Sequence, residues 1–102
     1  MRLIVRRDVI RAGRALTVRW RGIPEPAPTD WIGLYSPGSP NTAFIDWIYV
    51  SCSTTPADPR ERGSCDFTVP ASLGAGTYEL RLLAQDGYDR LASSHTFTVQ
   101  EP

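Results

Sequence analysis

Apolar residues recur at every second position in four separate stretches: Leu16, Val18 and Trp20; Cys65, Phe67 and Val69; Tyr78, Leu80 and Leu82; Phe97 and Val99. A period of two puts these side chains on one face of an extended backbone, so each stretch reads as a half-buried strand. Breakers separate them, as in IPEPAPT at 23–29, SPGSPNT at 36–42, TPADPRERG at 55–63, SLGAG at 72–76 and QDGY at 85–88. No helical stripe survives between glycines and prolines, and the nine prolines fall in the connections, where a missing amide hydrogen does no harm. Strands are therefore expected near 2–6, 15–21, 30–35, 44–52, 64–69, 76–84 and 91–99. About seven short strands at this spacing predict an all-β chain, an immunoglobulin- or fibronectin-like antiparallel sandwich.

The length of 102 residues, 41% of them hydrophobic, suits one packed core, so residues 1–102 are expected to form a single β-sandwich domain. No apolar run is long enough to cross a membrane. The start, MRLIVRRDVI, is too charged for a signal peptide, and the chain reads as a mature piece of a longer secreted protein. Formal charge is zero, yet seven of the eleven arginines fall within residues 1–21. That raises nucleic acid as a partner. Arg19 and Arg21, however, alternate with Val18 and Trp20 as the solvent side of a strand, and lysine is absent, so no nucleic-acid partner is assigned. Cys52 and Cys65 lack the companions a four-ligand zinc site needs; a disulfide is the better reading, and it favours an extracellular home.

Asp-Trp-Ile occurs twice, at 30–32 and at 46–48. Alternation puts Ile32 and Leu34 on one side of the first copy and Trp31, Gly33 and Tyr35 on the other. In the second copy Ile48 and Val50 oppose Trp47 and Tyr49. If the aliphatic sides face the core and the two segments pair, Trp31, Tyr35, Trp47 and Tyr49 form an outward aromatic platform. The competing reading packs one or both tryptophans into the core or an edge, with Trp20 already suited to fill the sandwich. Rings of such a platform stack on sugar faces, and Asp46, Arg81 and Gln85 would bond hydroxyls, with Tyr88 closing one end. Glu79 and Arg81 both look outward by alternation; as a surface pair they would contribute under about 1 kcal/mol.

Chemistry is sparse. His95 alternates with Phe97 and Val99, which makes it a buried or edge residue rather than a catalytic base. Calcium is the one cation with candidate ligands, Asp86 and Asp89 in a single loop, and loop carbonyls would supply much of its shell. No cofactor is required for chemistry, and the chain is read as not an enzyme.

The order ALTVRWRGIPEPAPTDWIGLYSPGSP, then GSCDFTVPASLGAGTYELRLLAQDGYDRLASSHTFTV, resembles the fibronectin-like N-terminal domain of plant-type purple acid phosphatases and related accessory sandwich modules of secreted proteins. The most specific pieces are DWIGLY at 30–35 and GTYELRL followed by DGY and LASS. The resemblance implies fold and secretion, not catalysis, because in those phosphatases the metal-binding motifs belong to the following domain. Two functions are expected to compete. One is a monomeric carbohydrate-binding module that grips β-glucan, a plant cell-wall polysaccharide, and targets an attached glycoside hydrolase. The other is a structural accessory domain that packs against an attached catalytic domain, with the same aromatics as its interface.

Overall fold

The computed structural model describes all residues, 1–102, and is all-β. Nine strands form in chain order: β1 (Arg2–Val5), β2 (Val9–Arg11), β3 (Ala15–Arg21), β4 (Trp31–Tyr35), β5 (Asp46–Tyr49), β6 (Gly63–Thr68), β7 (Gly76–Leu83), β8 (Arg90–Ser93) and β9 (Phe97–Gln100). The smaller sheet has the order β1-β3-β6. The larger runs β2-β9-β7-β4-β5, with β8 also paired to β7. The chain crosses between the sheets at each step from β1 to β4 and again on either side of β6, and the two sheets pack face to face as an immunoglobulin/fibronectin-like sandwich.

The period-two residues fill the space between the sheets. Leu16, Val18 and Trp20 from β3 meet Cys65 and Phe67 from β6, and Ile32, Leu34, Leu80, Leu82, Phe97 and Val99 close from the other sheet. Trp20 is 2% exposed and donates its indole N–H to the Arg60 carbonyl at 3.1 Å. Its strand partner is Gly63, where a Cβ would fall 2.5 Å from the indole ring, so the bare backbone is what admits the tryptophan. Near the start of β7 the Tyr78 hydroxyl donates to the Gly74 carbonyl at 2.7 Å, the back-bonded tyrosine typical of this architecture. Cys52, just beyond β5 of the larger sheet, is disulfide-bonded to Cys65 of β6 in the smaller one, so the bond clasps the two sheets together.

Two expectations about elements need correction. The run 9–11 is a strand: Val9–Arg11 pairs in parallel with β9 after the chain crosses from one sheet to the other at residues 6–8. At three residues it is too short to show alternation. The run 91–99 is two strands rather than one. Between them Ser94 is buried, its hydroxyl accepting from the Leu80 amide (3.0 Å) and donating to the His95 carbonyl (2.8 Å), so a side chain stands in the ladder where the backbone turns away. His95 is displaced by this break. It is exposed, not buried, with Nε2 3.2 Å from the Asp8 carboxylate.

Candidate functional site

The two Asp-Trp-Ile segments are spatial neighbours. β4 and β5 pair antiparallel with Trp31 opposite Tyr49, Ile32 opposite Ile48 and Gly33 opposite Trp47. Directly paired residues share a face. Ile32 therefore points into the core with Ile48 packed beside it, while Trp31, Tyr35, Trp47 and Tyr49 gather on the opposite face of the larger sheet. On its other side β4 pairs with β7, which adds Glu79, Arg81 and Leu83 to the same outer face.

That face is roofed rather than open. Every residue of β4 is buried, and so are Arg81 and Leu83 of β7. Two loops supply the cover. Residues 36–45 cross one half, and the loop after β7 folds over the other. Ala84–Gly87 in that second loop form a tight turn with Gln85 and Asp86 both at positive φ and the Gly87 amide on the Ala84 carbonyl at 2.8 Å. Asp30, 1% exposed, pins this turn from below: one carboxylate oxygen accepts from the Gln85 amide (3.1 Å), the other from the Ala27 amide (2.9 Å). The first Asp of the repeat is thus a structural anchor.

The two loops are sewn together by Asn41. Its carbonyl backbone accepts from the Tyr35 hydroxyl (2.6 Å), and its side-chain oxygen accepts from Arg81 Nη1 (3.0 Å) and from Arg90 Nε and Nη2 (3.1 and 2.9 Å). Its amide nitrogen donates to the Tyr88 carbonyl (3.1 Å). Arg81 lies 1% exposed beneath this knot. Its Nε meets Glu79 at 2.8 Å, Nη1 also reaches the Ser39 carbonyl at 2.8 Å, and the guanidinium carbon sits 4.2 Å from the centre of the Tyr35 ring. The reading of Glu79 and Arg81 as an outward surface pair is therefore corrected: they are on the outer face but under cover. Burial of the Tyr35 phenol pushes its pKa up to about 12, with the nearby Arg81 charge acting in the opposite direction.

At the free edge of this layer lies a cleft of about 180 Å³ between Trp31, Phe44, Trp47, Tyr49, Asp86 and Tyr88. The rings meet edge to face: Trp31 with Phe44 at 5.4 Å, with Trp47 at 6.4 Å and with Tyr88 at 6.1 Å, and Trp47 with Tyr49 at 4.8 Å between centroids. Such packing suits the ring quadrupoles and holds the cluster together. It does not set the rings in one plane as a flat platform. Trp31, 6% exposed, forms the floor and donates its indole N–H to the Gly87 carbonyl at 3.0 Å, so its face is not offered to solvent. Trp47 and Tyr49 are half-buried, and Phe44, Ile45 and Tyr88 stand exposed at the rim.

The remaining expected site residues are scattered around this cleft. The Tyr49 hydroxyl donates to the Asp86 carboxylate at 2.6 Å, and that bond raises the phenol's pKa. Asp46 is exposed at the start of β5, and its carboxylate accepts from the Trp47 amide at 2.9 Å. Gln85 is exposed on the turn. Asp86 and Asp89 are exposed on the same loop, but no group of three or more His, Cys, Asp or Glu side chains assembles there or elsewhere to hold a metal ion. Arg81 is walled off from the cleft, with Nε and Nη1 already engaged. Phe44 and Asn41 are the contributors that sequence reasoning missed. The only trace of them is a loop rich in proline and glycine that carries one amide and one aromatic residue, SPGSPNTAF.

Fold and site together define an immunoglobulin/fibronectin-like sandwich with a second, aromatic-rich layer on the outer face of its larger sheet. No protein-family model matches the chain. It is similar to the probable inactive purple acid phosphatase 9 of Arabidopsis thaliana, with 32% identity over 73 residues, 71% of this chain and 11% of that protein. The chain thus spans about a tenth of the length of the curated relative it matches.

Proposed function

We propose that this chain is a noncatalytic accessory sandwich of a secreted, phosphatase-like protein, and that it packs against the catalytic part through the aromatic cleft and its rim. The observation that carries this reading is the 73-residue similarity to a much longer purple acid phosphatase relative. The geometry agrees with it. Phe44, Ile45 and Tyr88 stand 38%, 43% and 48% exposed around a cleft lined by further rings, the composition of an interface centre. The edge-to-face packing and the buried Trp31 leave fewer open ring faces for sugar stacking than the β-glucan reading requires. The Cys52–Cys65 disulfide supports an oxidising, extracellular location.

An interface deprived of its partner is sticky, whereas a glycan-binding module is a soluble monomer. Sedimentation of the isolated chain over a wide concentration range should show self-association that Phe44→Ser and Trp47→Ser both reduce. In affinity electrophoresis it should pass unretarded through mixed-linkage β-glucan, xyloglucan, xylan and mannan. A strict monomer retarded by one of these neutral polymers, with the retardation lost in a folded Trp47→Ala variant, would return the function to β-glucan recognition.

A further inference from the structure

The outer face of the smaller sheet carries a separate feature. By register, Arg2 stands directly opposite Arg21, and Arg19 stands opposite Ile4 and Ser64. Arg6, just past β1, and Arg62, just before β6, join Arg19 and Arg21 around one open groove of about 510 Å³, floored by Ile4, Gly63 and Ser64. All five of these arginines are exposed. Only Arg62 has an ionic partner, Glu61 at 3.6 Å, and the one acid on this sheet face, Asp66, accepts from the Thr17 hydroxyl at 3.0 Å. The chain's net charge is zero, so this is a local concentration of charge rather than an overall excess, and two of the balancing acids, Glu79 and Asp86, lie on the outer face of the other sheet.

Like charges directly across a strand pair oppose folding. The Arg2–Arg21 pairing is therefore not explained by the fold's own stability, and it fits an anionic occupant. Arg19 and Arg21 are two residues apart on one strand, roughly 7 Å, and Arg2 is across from Arg21 at roughly 5 Å, so the guanidinium groups form a short regular array. Guanidinium forks grip carboxylate, sulfate or phosphate oxygens in pairs, which the ammonium of lysine does not.

The surroundings select among polyanions. Single-stranded nucleic acid needs exposed rings on which bases stack within the basic groove, but Trp20, the only ring lining it, is buried in the core. A duplex groove admits a helix or a two-stranded ribbon, whereas these arginines stand on the flat of a three-stranded sheet in a fold without helices. A bilayer would call for more apolar surface than Ile4, with Met1 at its border. The disulfide favours an extracellular setting, where acidic glycans are the abundant polyanions. We infer that the outer face of β1-β3-β6 docks an acidic polysaccharide, its carboxylates held by Arg2, Arg6, Arg19, Arg21 and Arg62. This surface is distinct from the aromatic cleft and independent of the function proposed for it.

The test is affinity electrophoresis of the whole chain in gels containing polygalacturonate at low salt, with the fully methyl-esterified polymer, duplex DNA and phosphatidylglycerol vesicles as parallel probes. Retardation on polygalacturonate is expected, abolished by esterification and weakened steeply by added salt. Arg19→Ser with Arg21→Ser should weaken it roughly tenfold or more, at an equal or slightly raised melting temperature because both side chains are exposed and the Arg2–Arg21 opposition is relieved, while Trp47→Ser leaves it intact. Arg2→Glu provides a second, single-site reading of the same face. Absence of retardation, indifference to the arginine substitutions, or equal or tighter binding to DNA or vesicles would overturn the inference.

Discussion

Replacing Gly33 by alanine tests whether the aromatic layer is closed. A Cβ at Gly33 would sit 2.7 Å from Cε1 of Tyr35 and 2.9 Å from Cζ3 of Trp31, both inside any real carbon contact. Neither ring is free to yield, since Tyr35 is tied to the Asn41 carbonyl at 2.6 Å and Trp31 to the Gly87 carbonyl at 3.0 Å. Overpacking of this kind costs about 1–3 kcal/mol, and loosening two hydrogen bonds adds about 1 kcal/mol each. Against this, alanine is favoured over glycine in a strand by roughly 0.5–1 kcal/mol. The net expectation is a loss of about 2–4.5 kcal/mol, or roughly 10–20 °C in Tm for a chain of this size. Urea and thermal unfolding followed by tryptophan fluorescence will measure it. Gly74→Ala is the control: there a Cβ meets only the Tyr78 hydroxyl, at 3.9 Å, and the change should stay within about 0.5 kcal/mol. Because propensity alone stabilises the variant, the sign is decisive. A Gly33→Ala protein at least as stable as the parent would mean that the rings do not close over this glycine and that the layer is open to ligands.

Three further outcomes follow from the same geometry. Tyr35 has its pKa raised to about 12 by burial, so the folded state holds that proton more tightly than the unfolded chain. Stability should therefore be unaffected below about pH 10 and fall by about 2–3 kcal/mol between pH 10 and 12, a loss missing in Tyr35→Phe and readable by alkaline titration of urea midpoints. Reducing Cys52–Cys65, which closes a loop of sequence separation 13, should cost about 3 kcal/mol, seen as a lower Tm in the presence of dithiothreitol. Asn41→Ala removes one acceptor from buried Arg81 and the link to the Tyr88 carbonyl, and should cost about 2–4 kcal/mol; loss of native amide protection in residues 84–90, seen by hydrogen exchange, would place the damage at the roof.

Alternation was sufficient to read the inner core and to sort aromatics from aliphatics in each Asp-Trp-Ile copy, because both follow from strand periodicity, but it left open which of those two sides meets the core. Leu16, Val18, Trp20, Phe67, Leu80 and Phe97 all lie where a period of two puts them. What alternation does not encode is whether the second face of a sheet meets water. In β7 the residues Leu80, Arg81, Leu82 and Leu83 are buried in succession, because loops fold over the outer side. That coverage depends on Asn41 and on the turn at Gln85–Asp86, non-local contacts that leave no periodic signal. Arg81 shows the limit most plainly. A charged residue at an outward position is ordinarily solvated; here Glu79, Asn41, Ser39 and the Tyr35 ring replace the solvent.

The doubled Asp-Trp-Ile shows how position in a sheet divides identical residues between architecture and surface. The first copy opens β4, flanked by β5 and β7, so its indole is enclosed from both sides and its aspartate is drawn under the Gln85 turn. The second copy opens β5, an edge strand with nothing beyond it, so Asp46 stays in water and Trp47 keeps part of its surface. Ile32 and Ile48, directly paired, both turn to the core side, Ile32 fully buried at the centre and Ile48 partly buried at the edge. A binding role for this repeat consequently rests on the second copy. Trp47→Ser should reduce self-association at a small cost in stability, whereas Trp31→Ser should unfold the outer layer, since Trp31 is the floor against which Phe44, Trp47 and Tyr88 all pack. Equal stability losses in the two variants would show that the edge copy is as structural as the central one, and the partner surface would then have to lie elsewhere.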